Sequence, residues 1–221
     1  MSSARTVAAR VIDAALEGTI VASFTKLGYK ARAAAFDWQP LPDMTGQTVL
    51  ITGGTSGIGR ASAAGIMNLG ATVIVTSRDQ QRADAAATEL NASGTSGTAL
   101  GMAVDTGDHD SVRKLVVQVT SETASLDVLI NNAGIETLGY VWEITPERWE
   151  QTLRVNLHGV IHGARAFVPA MLASGAECWI ANVASIAALG QMPTQTPYMA
   201  AKHAVQAFSE CLYLEMQAIG A

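Results

Sequence analysis

The sequence predicts an α/β fold: one doubly wound parallel sheet covered by helices on both faces, in three α/β/α layers, as a single domain with an N-terminal helical extension. Three observations predict this fold. Short apolar runs rich in β-branched residues alternate with helical segments, the order that gives parallel strands. These runs are continuously apolar, as burial of both sheet faces requires. A glycine cluster follows the first run and opens the first helix, a position typical of phosphate-binding loops.

The first three strand–helix units follow a linker at 37–45 that contains Pro40 and Pro42. They are expected as strand 48–52 and helix 58–69, strand 71–76 and helix 79–91, and strand 100–104 and helix 108–122. Glycines end the first strand, and Gly70 closes the first helix.

The last two units contain the longest predicted helices. They are expected as strand 126–130 and helix 146–172, then strand 177–183 and helix 198–219. Thr145 is the expected cap of the first of these helices and Pro146 its first residue. The expected domain organisation is therefore an N-terminal helix and linker at 1–45 and a dinucleotide-binding and catalytic domain at 46–221.

The N-terminal segment has apolar residues at helical spacing along one stripe. The stripe consists of Ile12, Leu16, Ile20, Phe24 and Leu27. Asp13 and Glu17 interrupt it, which argues against a secretory signal and against a mitochondrial presequence. We expect an amphipathic helix that packs on the domain or on a partner chain, with contact to a membrane surface as the alternative.

Composition excludes several classes of protein. Apolar residues make up 49% of the 221-residue chain and charged residues 15%, which favours a packed core over disorder. The net charge of −5 gives no basic footprint for nucleic acid. Cys178 and Cys211 lack the spacing of a disulfide framework or a zinc site, which indicates a reducing compartment and a cytoplasmic location, with no metal. No run of 18 uncharged apolar residues predicts a transmembrane helix.

The glycine cluster has the spacing GxxxGxG. Gly53 permits a tight turn, Gly57 allows close approach of a pyrophosphate, and Gly59 allows the helix to pack on the strand. N–H groups at the helix start would then face the anion, as in Rossmann-like folds. The expected cofactor-binding residues of this loop are Thr52, Gly53, Thr55, Ser56, Gly57, Ile58 and Gly59.

The end of the second strand bears on the choice between NAD(H) and NADP(H). An acid there would bind the ribose 2′-hydroxyl of NAD, whereas an arginine would pair with the 2′-phosphate of NADP. The chain has Ser77 followed by Arg78, which favours NADP(H). Asp79 follows directly, so NAD(H) stays possible, and Arg78 could instead be a solvated residue of the first helical turn.

At this point the chain resembles the short-chain dehydrogenase/reductase family over residues 46–221. The resemblance is carried by the TGxxxGxG loop at 52–59 and by the NNAG motif Asn131-Asn132-Ala133-Gly134. It implies that Asn132, Ala133 and Gly134 support the cofactor and that Asp105 contacts the adenine ring. The alternative for these residues is an ordinary turn at a strand end.

Tyr198 and Lys202 form a YxxxK motif, and their i, i+4 spacing puts both side chains on one helix face. A nearby ammonium favours the phenolate, so the phenol can exchange a proton with an alcohol or carbonyl. The resemblance implies that Ser185 holds the substrate oxygen, that Asn156 holds a water in a proton relay, and that Lys202 also holds the nicotinamide ribose. The predicted activity is NADP(H)-dependent hydride transfer between nicotinamide and an alcohol or carbonyl.

The substrate is expected to be a hydrophobic alcohol or ketone. The loops after strands four and five supply mainly apolar candidates, for which a plain core role is the alternative. These candidates are Trp142, Ala187, Leu189, Met192 and Gln195. The gap of three residues between Tyr198 and Lys202 also resembles the carbonyl and alcohol enzymes of the family rather than its enoyl reductases.

The resemblance also implies further strands, a Pro-Gly turn and a substrate lid after the YxxxK helix. The sequence has no Pro-Gly dipeptide and ends at Ala221. We expect a five-stranded sheet with the fifth strand at an edge, and an incomplete chain; a short form completed by a partner, or a recombined chain, are the alternatives. A second functional hypothesis is therefore a catalytically impaired scaffold that keeps a nucleotide site. The helices ending at Leu172 and Ile219 resemble those that pair subunits, which predicts a homodimer or homotetramer.

Overall fold

The structure is a computed structural model that describes residues 3–17 and 25–220. The chain divides into two compact units, Met1–Pro42 and Asp43–Ala221. In the first unit, helix α1 spans Ser3–Glu17 and helix α2 spans Lys26–Ala35. Arg32 of α2 forms ion pairs with Asp13 and Glu17 of α1.

The prediction of one helical stripe through the N-terminal segment was wrong at its C-terminal end. Thr25 has extended backbone angles (φ −110°, ψ 169°) and caps α2, so Leu27 belongs to a second helix. An extended residue cannot continue an α-helix, and the stripe therefore does not run unbroken from Ile12 to Leu27. Ile20 and Phe24 lie outside the described residues.

The second unit contains one parallel sheet of five strands in the order β3-β2-β1-β4-β5. The strands are β1 Thr48–Ile51, β2 Thr72–Ser77, β3 Thr98–Ala103, β4 Val128–Asn131 and β5 Trp179–Asn182. The helices are α3 Gly57–Met67, α4 Gln80–Asn91, α5 His109–Glu122, α6 Pro146–Leu153, α7 Gly159–Ser174 and α8 Thr196–Ile219. The predicted α/β fold is confirmed, with β5 at one edge of the sheet.

Two apolar cores cover the two faces of the sheet. On one face, strand residues pack against α3 and α4, through Val49, Ile51, Val73, Val75, Ala63, Met67, Ala86, Ala87 and Leu90. On the other, they pack against α5 and α7, through Leu50, Ile74, Met102, Leu129, Val112, Leu115, Val119, Phe167 and Met171. All four residues of β1 are buried, which explains why its sequence is continuously apolar.

The sheet has its switch point between β1 and β4. The chain leaves β1 toward β2 on one side, whereas β4 leads to β5 on the other. The loops after these two strands therefore separate and leave a crevice at the carboxyl ends, where open α/β sheets bind ligands.

The chain is helical from Pro146 to Ser174, which confirms the predicted long helix, but a π-helical turn at Arg154–His158 interrupts its α-helical hydrogen bonding and separates α6 from α7. The side-chain amide of Asn156 donates to Thr152 O at 2.9 Å and to Ile135 O at 2.8 Å. The side chain thus takes the carbonyl that the Asn156 N–H would use in an α-helix, and a wider turn results. Gly175, with φ +66°, ends α7.

Across residues 3–17 and 25–220, no helix combines the length and the apolar character needed to cross a membrane.

Candidate active site

A cavity of about 910 Å³ lies at the carboxyl ends of the strands. Its size is at the upper end of the range for small-molecule pockets, which suits an extended ligand. Nearly all predicted site residues line it: Gly53, Thr55, Ser56, Gly57, Ile58, Gly59, Ser77, Arg78, Asp105, Asn132, Ala133, Gly134, Asn156, Ser185, Tyr198 and Lys202. The fold therefore brings the glycine loop, the NNAG segment and the YxxxK motif to one cavity.

The glycine loop after β1 is shaped by close backbone approaches. Gly53 has φ +65°, and a Cβ on it would lie 3.0 Å from Ala133 Cα. A Cβ on Gly59 would lie 2.5 Å from Asn132 Nδ2. Helix α3 begins directly after Ser56, so the first N–H groups of the helix lack intrahelical acceptors and can bind an anion. This loop fits a pyrophosphate.

Thr52 does not line the cavity, and its role as a cofactor ligand stays a prediction. Thr52 is 5% exposed. Its hydroxyl accepts hydrogen bonds from the N–H groups of Asn132 at 2.9 Å and Ala133 at 3.0 Å. In return, Asn132 Nδ2 donates to Thr52 O at 2.9 Å. These hydrogen bonds join the loop after β1 to the loop after β4. Thr52 thus holds in place two loops that line the cavity.

The end of β2 forms one end of the cavity. Ser77 is half-buried and Arg78 exposed. The Asp79 carboxylate accepts the Arg82 N–H at 2.8 Å as the cap of α4, so this acid is engaged in a structural role. Arg82 also lines the cavity. The sequence motifs did not predict Arg82 as a site residue. The available signal was a second arginine four residues after Arg78.

Asp105 closes the turn after β3. Its carboxylate accepts from Gly107 N at 3.0 Å and from the Arg154 guanidinium at 2.8 Å. A Cβ on Gly107 would lie 2.6 Å from Arg154 Cγ, so the glycine permits this ion pair. Asp105 therefore fixes the turn and borders the cavity at the same time; its contact with adenine stays a prediction.

Asn156 is fully buried in the π-helical turn. In addition to its two donated bonds, its Oδ1 accepts from Ile135 N at 3.2 Å. A Cβ on Gly134 would lie 2.8 Å from this oxygen. Asn156 thus fixes the chain that follows the NNAG segment, and its predicted hold on a water stays a prediction.

Tyr198 and Lys202 lie on the first turns of α8. Lys202 is 4% exposed, and burial lowers the pKa of its ammonium. Its Nζ donates to Val183 O at 2.6 Å and lies 5.7 Å from the centroid of the Tyr198 ring. Because one N–H of the ammonium donates to Val183 O, two N–H donors are left for other partners.

Ser185 follows β5 and caps a short 3₁₀ turn, Ile186–Ala188. Its Oγ accepts from Ala187 N at 3.1 Å. The hydroxyl proton is not needed for this bond, so Ser185 can donate toward the cavity that it lines with Tyr198.

A polar chain that the motifs do not reveal connects β4, β5 and α8. Asn131 Nδ2 donates to Asn182 Oδ1 at 2.9 Å, and Asn182 Nδ2 donates to Ser209 Oγ at 2.9 Å. Ser209 in turn donates to Val205 O at 2.7 Å. This chain fixes α8, with Tyr198 and Lys202, against the strands that carry the other site residues.

The predicted substrate residues divide into two groups. Ala187, Met192 and Gln195 line the cavity. Trp142 and Leu189, both 77% exposed, do not, and Trp142 instead stacks on Tyr140 with ring centroids 5.0 Å apart. Within the described ranges, no three His, Cys, Asp or Glu side chains converge as a metal site.

Comparison with known proteins places the chain among short-chain dehydrogenases. The sequence model described as "short chain dehydrogenase" matches residues 47–220. The chain is 34% identical over 172 residues to a protein described as "Probable oxidoreductase EphD" of Mycobacterium tuberculosis. That match covers 78% of this chain and 29% of EphD, so the chain spans less than a third of that relative's length.

Solved structures share the fold. A short chain dehydrogenase/reductase from Burkholderia phymatum in complex with NAD has a TM-score of 0.76 and 31% identity, covering 82% of this chain and 64% of that one. A metagenomic short-chain oxidoreductase in complex with NADP has a TM-score of 0.73 and 29% identity, covering 80% of this chain and 79% of that one.

Proposed function

Because this chain belongs to the short-chain dehydrogenase/reductase family, we propose that it transfers a hydride between NADP(H) and an alcohol or carbonyl of a hydrophobic small molecule. One observation carries the proposal: Ser185, Tyr198 and Lys202 line the same cavity as the glycine loop. A nucleotide site alone would not require these three side chains.

The proposed preference for NADP(H) rests on the end of β2. Ser77 offers no carboxylate to a ribose 2′-hydroxyl, and Arg78 offers an exposed guanidinium beside it. A guanidinium binds phosphate oxygens in a bidentate manner, so it favours a 2′-phosphate. The nearest acid, Asp79, accepts the Arg82 N–H as the cap of α4.

We propose a separate role for each of the catalytic residues. A bound nicotinamide would supply or accept the hydride. Tyr198 gives a proton to the substrate oxygen, or takes it, while the Lys202 ammonium stabilises the charge that develops on the phenol oxygen. Ser185 donates a hydrogen bond to the substrate oxygen, and Asn156 positions Ile135 at the cavity wall.

We propose a hydrophobic carbonyl or alcohol as the substrate class. Ile186, Ala187 and Met192 supply apolar lining beside Ser185 and Tyr198. Trp142 and Leu189 are exposed beyond the lining and are left out of this assignment.

We further propose a homodimer or homotetramer that uses α7 and α8, and a cytoplasmic location. Leu172, Tyr213, Leu214 and Ile219 expose apolar surface on these helices, which favours pairing with another copy. Cys178 and Cys211 are free thiols, in keeping with a reducing compartment.

The first test is a titration of the purified chain with NADPH and NADH, followed by nicotinamide fluorescence. A panel of ketones and aldehydes then measures turnover in the wild type, Tyr198→Phe and the matched control Tyr140→Phe. Tyr140 is an exposed tyrosine that does not line the cavity. We expect Tyr198→Phe to bind NADPH normally and to lose about 10²- to 10⁴-fold in turnover, the range for removal of a general acid.

Two results would contradict the proposal in different ways. Tight NADPH binding without turnover of any carbonyl would favour a nucleotide-binding scaffold. Equal turnover in Tyr198→Phe and the wild type would remove Tyr198 from the chemistry.

A further inference from the structure

The cavity end beside β2 carries two guanidinium groups, not one. Arg78 follows β2, and Arg82 lies in the first turn of α4; both are exposed and both line the cavity. We propose that Arg82 is a second specificity-determining residue, which binds the adenosine 2′-phosphate together with Arg78. This inference rests on the proposed preference for NADP(H).

The charges around Arg82 leave its guanidinium available. Of the two nearest acids in sequence, Asp79 accepts the Arg82 backbone N–H and Asp84 accepts from Gln80 Nε2 at 2.7 Å, and neither is bonded to the Arg82 guanidinium. Within the described part of the chain, neither Arg78 nor Arg82 forms an ion pair.

Other arginines near this end of the unit behave differently. Arg60 on α3 is paired with Glu89, and Arg154 is paired with Asp105. The two arginines that line the cavity, Arg78 and Arg82, therefore have no carboxylate partner among the described residues, whereas Arg60 and Arg154 do.

The position of Arg82 does not serve the helix that carries it. Arg82 is the third residue of α4, and a cation in the first turn opposes the helix dipole. An anion bound between the Arg82 guanidinium and the N-terminus of α4 would interact favourably with both positive groups. A helix-stabilising role therefore does not explain the arginine, whereas binding of an anion does.

The adenosine 2′-phosphate can also bind more than one arginine. A phosphate monoester carries a charge close to −2 at neutral pH and presents three acceptor oxygens. Arg78 can satisfy two of these oxygens through its planar fork. Arg82, four residues later in the chain and lining the same cavity, supplies the second charge, and NADH offers no group that would use it.

The test measures binding, not turnover, on the full chain. NADPH and NADH are titrated directly, and 2′,5′-ADP and 5′-ADP compete for the site. The variants are Arg82→Ala, Arg82→Gln, Arg82→Lys and Arg78→Ala, with Arg113→Ala as the matched control, an exposed arginine on α5 that does not line the cavity. Circular dichroism and a thermal melt check that each variant is folded.

We expect Arg82→Ala and Arg82→Gln to weaken NADPH and 2′,5′-ADP about tenfold, as loss of a charge-assisted contact implies. NADH and 5′-ADP should change less than twofold, Arg82→Lys should restore part of the loss, and Arg113→Ala should match the wild type. The NADPH effect should also shrink as salt is added.

Different outcomes refute different statements. If Arg78→Ala weakens NADPH while the Arg82 variants stay within twofold of the wild type, the role of Arg82 is refuted and the proposed function stands. If the wild type binds NADH as tightly as NADPH, the cofactor preference and the role of Arg82 both fail. Equal losses for NADPH and NADH in Arg82→Gln would assign Arg82 a structural role instead.

Discussion

Helix α3 contains two glycines for which the same substitution should have opposite effects. Gly59 lies at the start of the helix against the NNAG loop, whereas Gly65 faces open space. Replacing Gly65 with alanine should stabilise the protein by about 0.5–1 kcal/mol, since alanine is the better helix former. Replacing Gly59 adds the same helix propensity but also places a methyl group against the adjacent loop.

The magnitude for Gly59→Ala follows from the distances. Its Cβ would lie 2.5 Å from Asn132 Nδ2 and 2.6 Å from Gly53 O, whereas ordinary contact begins at 3.4 Å, so the loops must separate by about 0.9 Å. Overpacking of this kind costs about 1–3 kcal/mol. Asn132 Nδ2 would also lose its bonds to Thr52 O and Gly53 O, each worth about 1 kcal/mol. After the gain in propensity of about 0.5–1 kcal/mol, we expect a net loss of about 2–4 kcal/mol.

The assay is urea unfolding of the wild type and both variants, followed by circular dichroism, with NADPH titration alongside. The two variants should differ by about 3–5 kcal/mol, which separates their midpoints by at least about 1 M urea at ordinary m-values. Gly59→Ala should also bind NADPH at least about tenfold more weakly, because the loop that carries Gly53 is displaced. Equal midpoints and unchanged NADPH affinity in Gly59→Ala would refute the proposed close packing of these loops.

Three further predictions concern Thr52, Lys202 and Asp79. Thr52→Val should destabilise the chain by about 2 kcal/mol in urea unfolding, because two partly buried N–H groups lose their acceptor, whereas Thr52→Ser should stay close to the wild type. For Lys202, burial lowers the folded-state pKa below its unfolded value, so the unfolded chain binds more protons between the two values and stability rises with pH there. The melting temperature of the wild type relative to Lys202→Met should therefore increase as the pH approaches 10.5, and a flat difference would contradict the effect of burial. Asp79→Ala should cost about 1 kcal/mol through loss of the α4 cap, which Asp79→Asn should largely avoid.

The order of strands and helices was predictable because each strand is a local apolar run. The strand ends were less predictable, because pairing sets them. Strand β3 was predicted at 100–104 but spans Thr98–Ala103, since Thr98 pairs with Thr72 of β2. The N-terminal end of β3 begins with a threonine and lacks a run of apolar residues, so the sequence alone does not predict it as a strand. Its extended conformation becomes evident only from its pairing with β2.

The candidate site was predictable where a motif is contiguous and less so where it depends on contacts distant in sequence. The glycine loop and YxxxK are contiguous, and their residues line one cavity apart from Thr52. The interruption of the long helix depends instead on the contact of Asn156 with Ile135, 21 residues earlier. The polar chain from Asn131 to Ser209 likewise joins residues on three elements, a relation that no local pattern contains.

The π-helical turn has a consequence for how this protein can accept insertions and deletions. One residue more or less rotates everything downstream on a helix by about 100°. Beyond the turn, Gly159 packs against Thr106, and Gly163 against Asn131, where added Cβ atoms would lie 3.0 Å and 2.3 Å away from the side-chain oxygens. Removing one residue from 154–158 would turn larger side chains toward these positions. An alignment with any relative whose helix is regular here therefore requires a one-residue gap, and a gap placed elsewhere would mismatch both glycines.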